Sequence, residues 1–227
     1  MISIFKESIK LFLANIFLVI SITLTIYLPV NILSNYLDYY VLSENDIGQS
    51  IRFYLLLDCI LSPITIGAII YAFFNIKQGK EVKYSSAMLE GIKNWFNLFI
   101  ARLIAGVLIL LGLICFIVPG IVLTVRYALL DSVVVIENAG HSLARRKSTE
   151  LTLHNRWKIF FMFIVLLVLI LLLVLPIFLY ESFDNIYFSV LSDCIFDICF
   201  SLGTIIFFLL YWESIELQDI KEAQPNA

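Results

Sequence analysis

The sequence predicts an all-α fold: a polytopic membrane bundle of six transmembrane helices with two further helices at the cytoplasmic interface, residues 1–227 forming a single domain. Three observations carry this. The chain is 61% hydrophobic with a mean hydropathy of +0.98, whereas soluble domains are roughly 45–50% apolar. The apolar residues gather in long blocks, close to the ~20 residues a helix needs to cross ~30 Å of hydrocarbon. The lysines and arginines lie almost wholly on one side of the path that those blocks define.

Spans one and two are expected at 11–33 and 53–74. The first follows Lys6 and Lys10 and has the look of a secretion signal. It is longer than a signal's apolar core and no small-x-small cleavage site follows, so an uncleaved span is expected. The stretch from Trp95 to Ile136 is too long for one crossing, about 63 Å as a single helix. Pro119-Gly120 supplies the break, giving spans at 97–118 and 120–136. Proline lacks the backbone N–H and disfavours helix at the residue before it, and glycine permits a tight reversal. A single span from Leu103 to Val125, flanked by Arg102 and Arg126, is the competing reading; it places "HSLARRKSTELTLHNRWK" outside. Spans five and six are expected at 159–180 and 194–212.

Basic residues accumulate in cytoplasmic loops, while Asp and Glu contribute little to orientation. With six spans and both termini cytoplasmic, all of the 15 Lys and Arg except Arg52 and Arg126 fall on the cytoplasmic side. The outer loops then hold Asp38, Glu44, Asp46, Glu181, Asp184 and Asp193. Trp95, Trp157 and Trp212 fall at the inner ends of spans, where tryptophan favours the interface.

The links at 75–95 and 141–154 each read as a short surface helix. In the first, Val82, Leu89 and Phe96 recur at helical spacing. In the second, Ser142 is a candidate N-cap. Arg145, Arg146, Lys147, Arg156 and Lys158 are candidate contacts for anionic lipid headgroups, or simply determinants of topology. His141 and His154 lack metal-ligand spacing, and no metal or cofactor is expected. Cys59, Cys115, Cys194 and Cys199 all lie in apolar segments and read as small fillers, with a Cys59–Cys194 disulfide as the minor alternative.

Charges inside a span cost roughly 2.5–3.5 kcal/mol at a helix centre on insertion scales, so they mark partners or function. Asp58, Arg126, Asp131 and Asp197 are the candidates for an intramembrane polar network. Arg126 is expected to pair with Asp58, Asp197 or both. Asp131 is expected either to cap a helix restarting at "DSVVVIE" or to line a polar cavity with Ser62 and Thr65 near Pro63.

No P-loop, Rossmann fingerprint, H-E-x-x-H or G-x-S-x-G is present. The segment Val118–Lys158, "VPGIVLTVRYALLDSVVVIENAGHSLARRKSTELTLHNRWK", resembles the YciC-like six-span bacterial inner-membrane proteins and the membrane domain attached to some glycerophosphodiester phosphodiesterases. Pro119-Gly120, Arg126, Glu137, Ala144–Ser148 and Asn155-Arg156-Trp157 carry the likeness, with Gly79, Ser85, Gly91 and the closing "LLYWESIE" outside it. Asp131 stands where that pattern has an apolar residue or proline. The resemblance implies an inner-membrane location and six spans. The family it resembles brings no established chemistry, and the phosphodiesterase activity of the fused relatives is not expected here. The expected function is a non-enzymatic envelope protein that binds membrane lipid or a membrane protein partner, and no nucleic acid. A transporter of lipid or small molecules using spans two, four and six is the alternative, and an intramembrane lipid enzyme is the third.

Overall fold

The computed structural model describes residues 2–40, 47–153, 155–179 and 186–223. Glu44, Asp46, His154, Glu181 and Asp184 lie outside the described residues. Among those described there are nine helices and no strand: α1 (Ile2–Ala14), α2 (Ile16–Tyr40), α3 (Ile47–Lys77), α4 (Tyr84–Cys115), α5 (Ile117–Arg126), α6 (Leu130–Glu137), α7 (His141–Thr152), α8 (Arg156–Leu179) and α9 (Ile186–Ala223). Helices α2, α3, α4 and α9 are long and apolar enough to cross a bilayer, as is the pair α5–α6. Helix α8, bent 99° away from α7, brings the number of candidate spans to six. The chain is a multi-pass integral membrane protein with an all-α bundle.

The first span begins later than the sequence predicts. Residue Asn15 separates α1 from α2, and its side-chain Nδ2 donates to the Leu11 carbonyl at 3.0 Å. Helix α1 is amphipathic: Ile4 and Ser8 are buried, while Lys6, Glu7 and Lys10 are exposed. It packs against α9, and Glu7 is ion-paired to Lys77 at the end of α3.

The first link also differs from expectation. It is not a separate surface helix, because α4 starts at Tyr84 and continues for 32 residues without interruption. Only the turn before it is non-helical. There Gly79, at φ +76°, ends α3. Its N–H donates to Ile76 at 2.9 Å and the Lys80 N–H donates to Asn75 at 3.0 Å, the two bonds of a Schellman cap. Arg102, counted above with the cytoplasmic residues, consequently lies well inside α4. The second link does form a separate helix, α7.

Helix α4 packs on α3 through small residues, as lipid-embedded helices do when close approach is their main attraction. A Cβ on Gly67 would stand 3.3 Å from the Gly91 Cα, and one on Gly91 would stand 2.5 Å from the Ile64 carbonyl oxygen. Trp95 uses its indole N–H to reach the Ile60 carbonyl at 2.5 Å, near the proline-interrupted turn at Pro63.

The reversal expected at Pro119-Gly120 occurs three residues earlier. Phe116 is extended, at φ −161° and ψ 145°, between α4 and α5. Pro119 sits in the first turn of α5, where no intrahelical N–H is needed. Gly120 serves the hairpin differently: a Cβ there would meet the Leu113 Cγ at 2.4 Å. The glycine therefore lets α5 lie directly on α4.

Helix α5 stops at Arg126, and α6 restarts at Leu130 with Asp131 in its first turn. Span four is thus a broken helix, but Asp131 does not cap the restart as expected: Leu129 holds the N-cap position, with no side-chain cap hydrogen bond. Short α6 is buried through Leu130, Ser132, Val133, Val134 and Val135, with α3, α4, α7 and α9 around it. Asn138, at φ 50°, turns the chain into α7. The core continues through Ile22, Phe73, Leu98, Ile205 and Phe208, each at most 1% exposed. No disulfide forms among the four cysteines, of which Cys59 and Cys115 are exposed.

Candidate functional site

The helix break in span four lies against a cavity of about 450 Å³ enclosed by α3, α4, α5, α6, α8 and α9. Its walls are mostly apolar: Ile66 and Ile70 from α3, Ala105 and Ile109 from α4, Phe163 and Leu166 from α8, and Phe200 and Phe207 from α9. Two opposite charges face into it, Arg102 and Asp131. The hairpin places them together. Arg102 lies 14 residues before Phe116 and Asp131 lies 15 residues after it, so the two arms return to the same level. Thr124, Tyr127, Ser132 and Thr204 add polar groups.

Arg102 enters the cavity because it adjoins the buried small-residue face of α4, one residue after Ala101 and three before Ala105. Asp131 enters it because α6 begins anew there, and an acidic side chain in the first turn suits the positive end of a helix. The charge of Arg102 acts on Asp131, but the two are not in an ion pair. Arg102 Nη1 is buried without a hydrogen-bond partner among the described residues. Asp131 makes no hydrogen bond or ion pair among the described residues. Leu167 and Phe200 line the cavity yet are 57% and 52% exposed. Together with Gly106, they form an apolar lip facing outward. In a bilayer, such a lip opens to lipid rather than to water.

The four charges grouped by sequence reasoning do not form one network. Asp58 and Asp197 lie in a second cluster, between α2, α3 and α9. Tyr27 donates to Asp58 Oδ1 at 3.0 Å, and Asn31 donates to Asp197 Oδ2 at 2.8 Å. Asn35 donates to Asp193 Oδ2 at 2.7 Å, so α2 and α9 run antiparallel in a two-rung amide–carboxylate ladder. Arg126 pairs with neither Asp58 nor Asp197. Its Nε is buried without a partner among the described residues, and its carbonyl accepts from Ser148 of α7 at 2.8 Å. The expectation failed because Arg126 was placed by depth alone, whereas amide and phenol donors already serve both aspartates. Ser62 and Thr65 do not line the cavity with Asp131; Ile66 and Ile70 take that wall.

Sequence reasoning missed Arg102, Tyr27, Asn31 and Asn35. For the last three a signal existed, since positions four apart form one stripe on an otherwise apolar helix.

The basic residues around α7 are largely engaged within the protein. Lys147 pairs with Glu137 at 2.6 Å, and Arg146 with Glu150 at 3.0 Å. Lys158 reaches Glu213 Oε1 at 2.6 Å. Arg145 Nε turns to the His141 carbonyl at 3.3 Å, and Arg156 Nε is buried without a partner among the described residues. Among the described residues no cluster of His, Cys, Asp and Glu has the arrangement to hold a metal. No family model, curated protein or solved structure matches the chain.

Proposed function

We propose that this protein binds a membrane lipid in the lateral cavity between α4, α6, α8 and α9, acting as a binding protein rather than an enzyme. The observation that carries the reading is the combination at one site: apolar walls, an apolar lip and a guanidinium nitrogen without a partner. A pocket of this size, largely apolar with a few placed polar groups, has the usual make-up of a small-ligand site. An amphiphile satisfies both parts, its chain against Ile70 and Phe207 and its head at Arg102. Following the charge distribution and the likeness to YciC-like proteins, the reading places the protein in a bacterial inner membrane with both termini cytoplasmic. The α7 face bearing Arg145 and Arg146 then meets the anionic inner leaflet.

Native mass spectrometry from mild detergent tests the binding. Gly106 lines the cavity, and a Cβ there meets no atom within 4 Å. Gly106→Phe puts a bulky side chain at the lip of the cavity, where the backbone leaves room for its Cβ. The wild type should retain a lipid adduct that Gly106→Phe loses, with both proteins equally helical by circular dichroism. An adduct of equal intensity in both removes the reading.

Transport is the second reading. It is favoured by the helix break between Arg126 and Leu130, because interrupted membrane helices commonly flank substrate sites. Uptake of a labelled lipid analogue between the leaflets of proteoliposomes separates transport from simple binding.

A further inference from the structure

We propose that the cavity selects a phospholipid whose headgroup carries both a phosphate and a primary ammonium, the phosphate on Arg102 and the ammonium on Asp131. The inference rests on the lipid-binding reading and adds the headgroup class.

Among the described residues the cavity is lined by one positive and one negative side chain, which act on each other electrostatically but form no ion pair. A charge in a low-dielectric site is costly until it finds an opposite charge or hydrogen bonds. The direct Arg102–Asp131 pair would meet this need, but it is not formed. Both groups line the one cavity, which therefore makes opposite electrostatic demands at two points of its wall. A fatty acid or phosphatidylglycerol head satisfies Arg102 and leaves Asp131 facing a like charge. A neutral glyceride satisfies neither. An ethanolamine phosphate satisfies both: its oxygens accept charge-assisted bonds from the guanidinium, and its ammonium offers three N–H donors to the carboxylate. Choline has the same net charge but no N–H, so it matches Asp131 less well. The chains lie against Ile66, Ile70, Phe163 and Phe207 and leave past the lip at Leu167 and Phe200.

The full chain is reconstituted in nanodiscs holding equal phosphatidylethanolamine, phosphatidylglycerol and phosphatidylcholine, transferred to mild detergent and weighed with its retained lipid. The wild type should retain the ethanolamine lipid over either competitor by about tenfold, the worth of one charge-assisted bond. Asp131→Asn should abolish that preference while keeping a lipid adduct. Arg102→Gln should weaken retention of all three lipids. Should either variant fail to give a monodisperse protein, stepwise N-methylation of the ethanolamine head supplies the same test on the wild type. Retention should then fall with each N–H removed. Retention without headgroup order, a flat methylation series, or an undiminished preference in Asp131→Asn overturns the proposal and leaves lipid binding standing. Absence of any retained lipid in the wild type overturns both.

Discussion

Ser148 of α7 donates from its hydroxyl to the carbonyl oxygen of Arg126, 2.8 Å away, and so closes the broken end of α5 with a side chain from the most polar helix of the protein. The last carbonyls of a helix have no intrahelical partner. At this depth, solvent is a poor substitute, and Ser148 is 0% exposed. Ser148→Ala should therefore lower stability by about 1–3 kcal/mol, the cost of a buried acceptor left unsatisfied. Thermal unfolding in detergent reads this directly. An unchanged melting temperature would show that the carbonyl is satisfied some other way.

The glycines of α4 should respond in opposite senses to the same substitution. Gly106 has open space where its Cβ would go. Gly106→Ala adds helix propensity and reduces unfolded-chain freedom, so stabilisation of roughly 0.4–1 kcal/mol is expected. At Gly91 the new Cβ would stand 2.5 Å from the Ile64 carbonyl oxygen and 3.0 Å from the Ala68 Cβ. Gly91→Ala must push α4 off α3, with a cost of about 1–3 kcal/mol from overpacking. Equal melting temperatures for the two variants would contradict the close approach at Gly67 and Gly91.

Composition and charge placement made the membrane bundle legible, because a helix's need to fill ~30 Å of hydrocarbon is written in each segment by itself. Where helices stop was less legible. Asn15 interrupts the first apolar run without proline or glycine, and Phe116 rather than Pro119 marks the reversal. Both depend on what packs nearby: α9 under α1, and Leu113 under Gly120. The site was the least legible part. Asp131 is visible as a charge within a span, whereas Arg102, inside the expected span at 97–118, reads as a charge on its cytoplasmic side; its place well inside α4 follows from that helix running unbroken from Tyr84. Opposite charges also pair in sequence reasoning by sign and depth, whereas Asp58 and Asp197 are served by Tyr27 and Asn31.

Glu137 holds two elements at once, accepting from the Tyr211 hydroxyl at 2.8 Å and pairing with Lys147 at 2.6 Å. Tyr211 is 1% exposed, so loss of the carboxylate strands its hydroxyl. Glu137→Ala should cost about 1.5–3 kcal/mol, the range for a hydrogen bond to a charged group. Tyr211→Phe in the same background should then cost little more. A double-mutant cycle measured by thermal unfolding checks this, and strictly additive losses would mean that the two side chains act independently.

The ladder between α2 and α9 separates a structural role from a transport role. Asn31 is fully buried and donates to Asp197, and Asn35 repeats the contact to Asp193 one turn away. Removing one partner leaves a carboxylate without its donor, so Asn31→Leu alone should destabilise by about 1.5–3 kcal/mol, the range for a hydrogen bond to a charged group. Replacing both members with apolar residues removes the desolvation penalty together with the contact. Asn31→Leu with Asp197→Leu should accordingly recover most of the lost melting temperature. A ladder that only joins helices will also leave lipid retention in the cavity unchanged in the double variant. If stability returns while leaflet-to-leaflet movement of a labelled lipid is lost, Asp197 contributes to transport and the binding-only reading gives way to the second one.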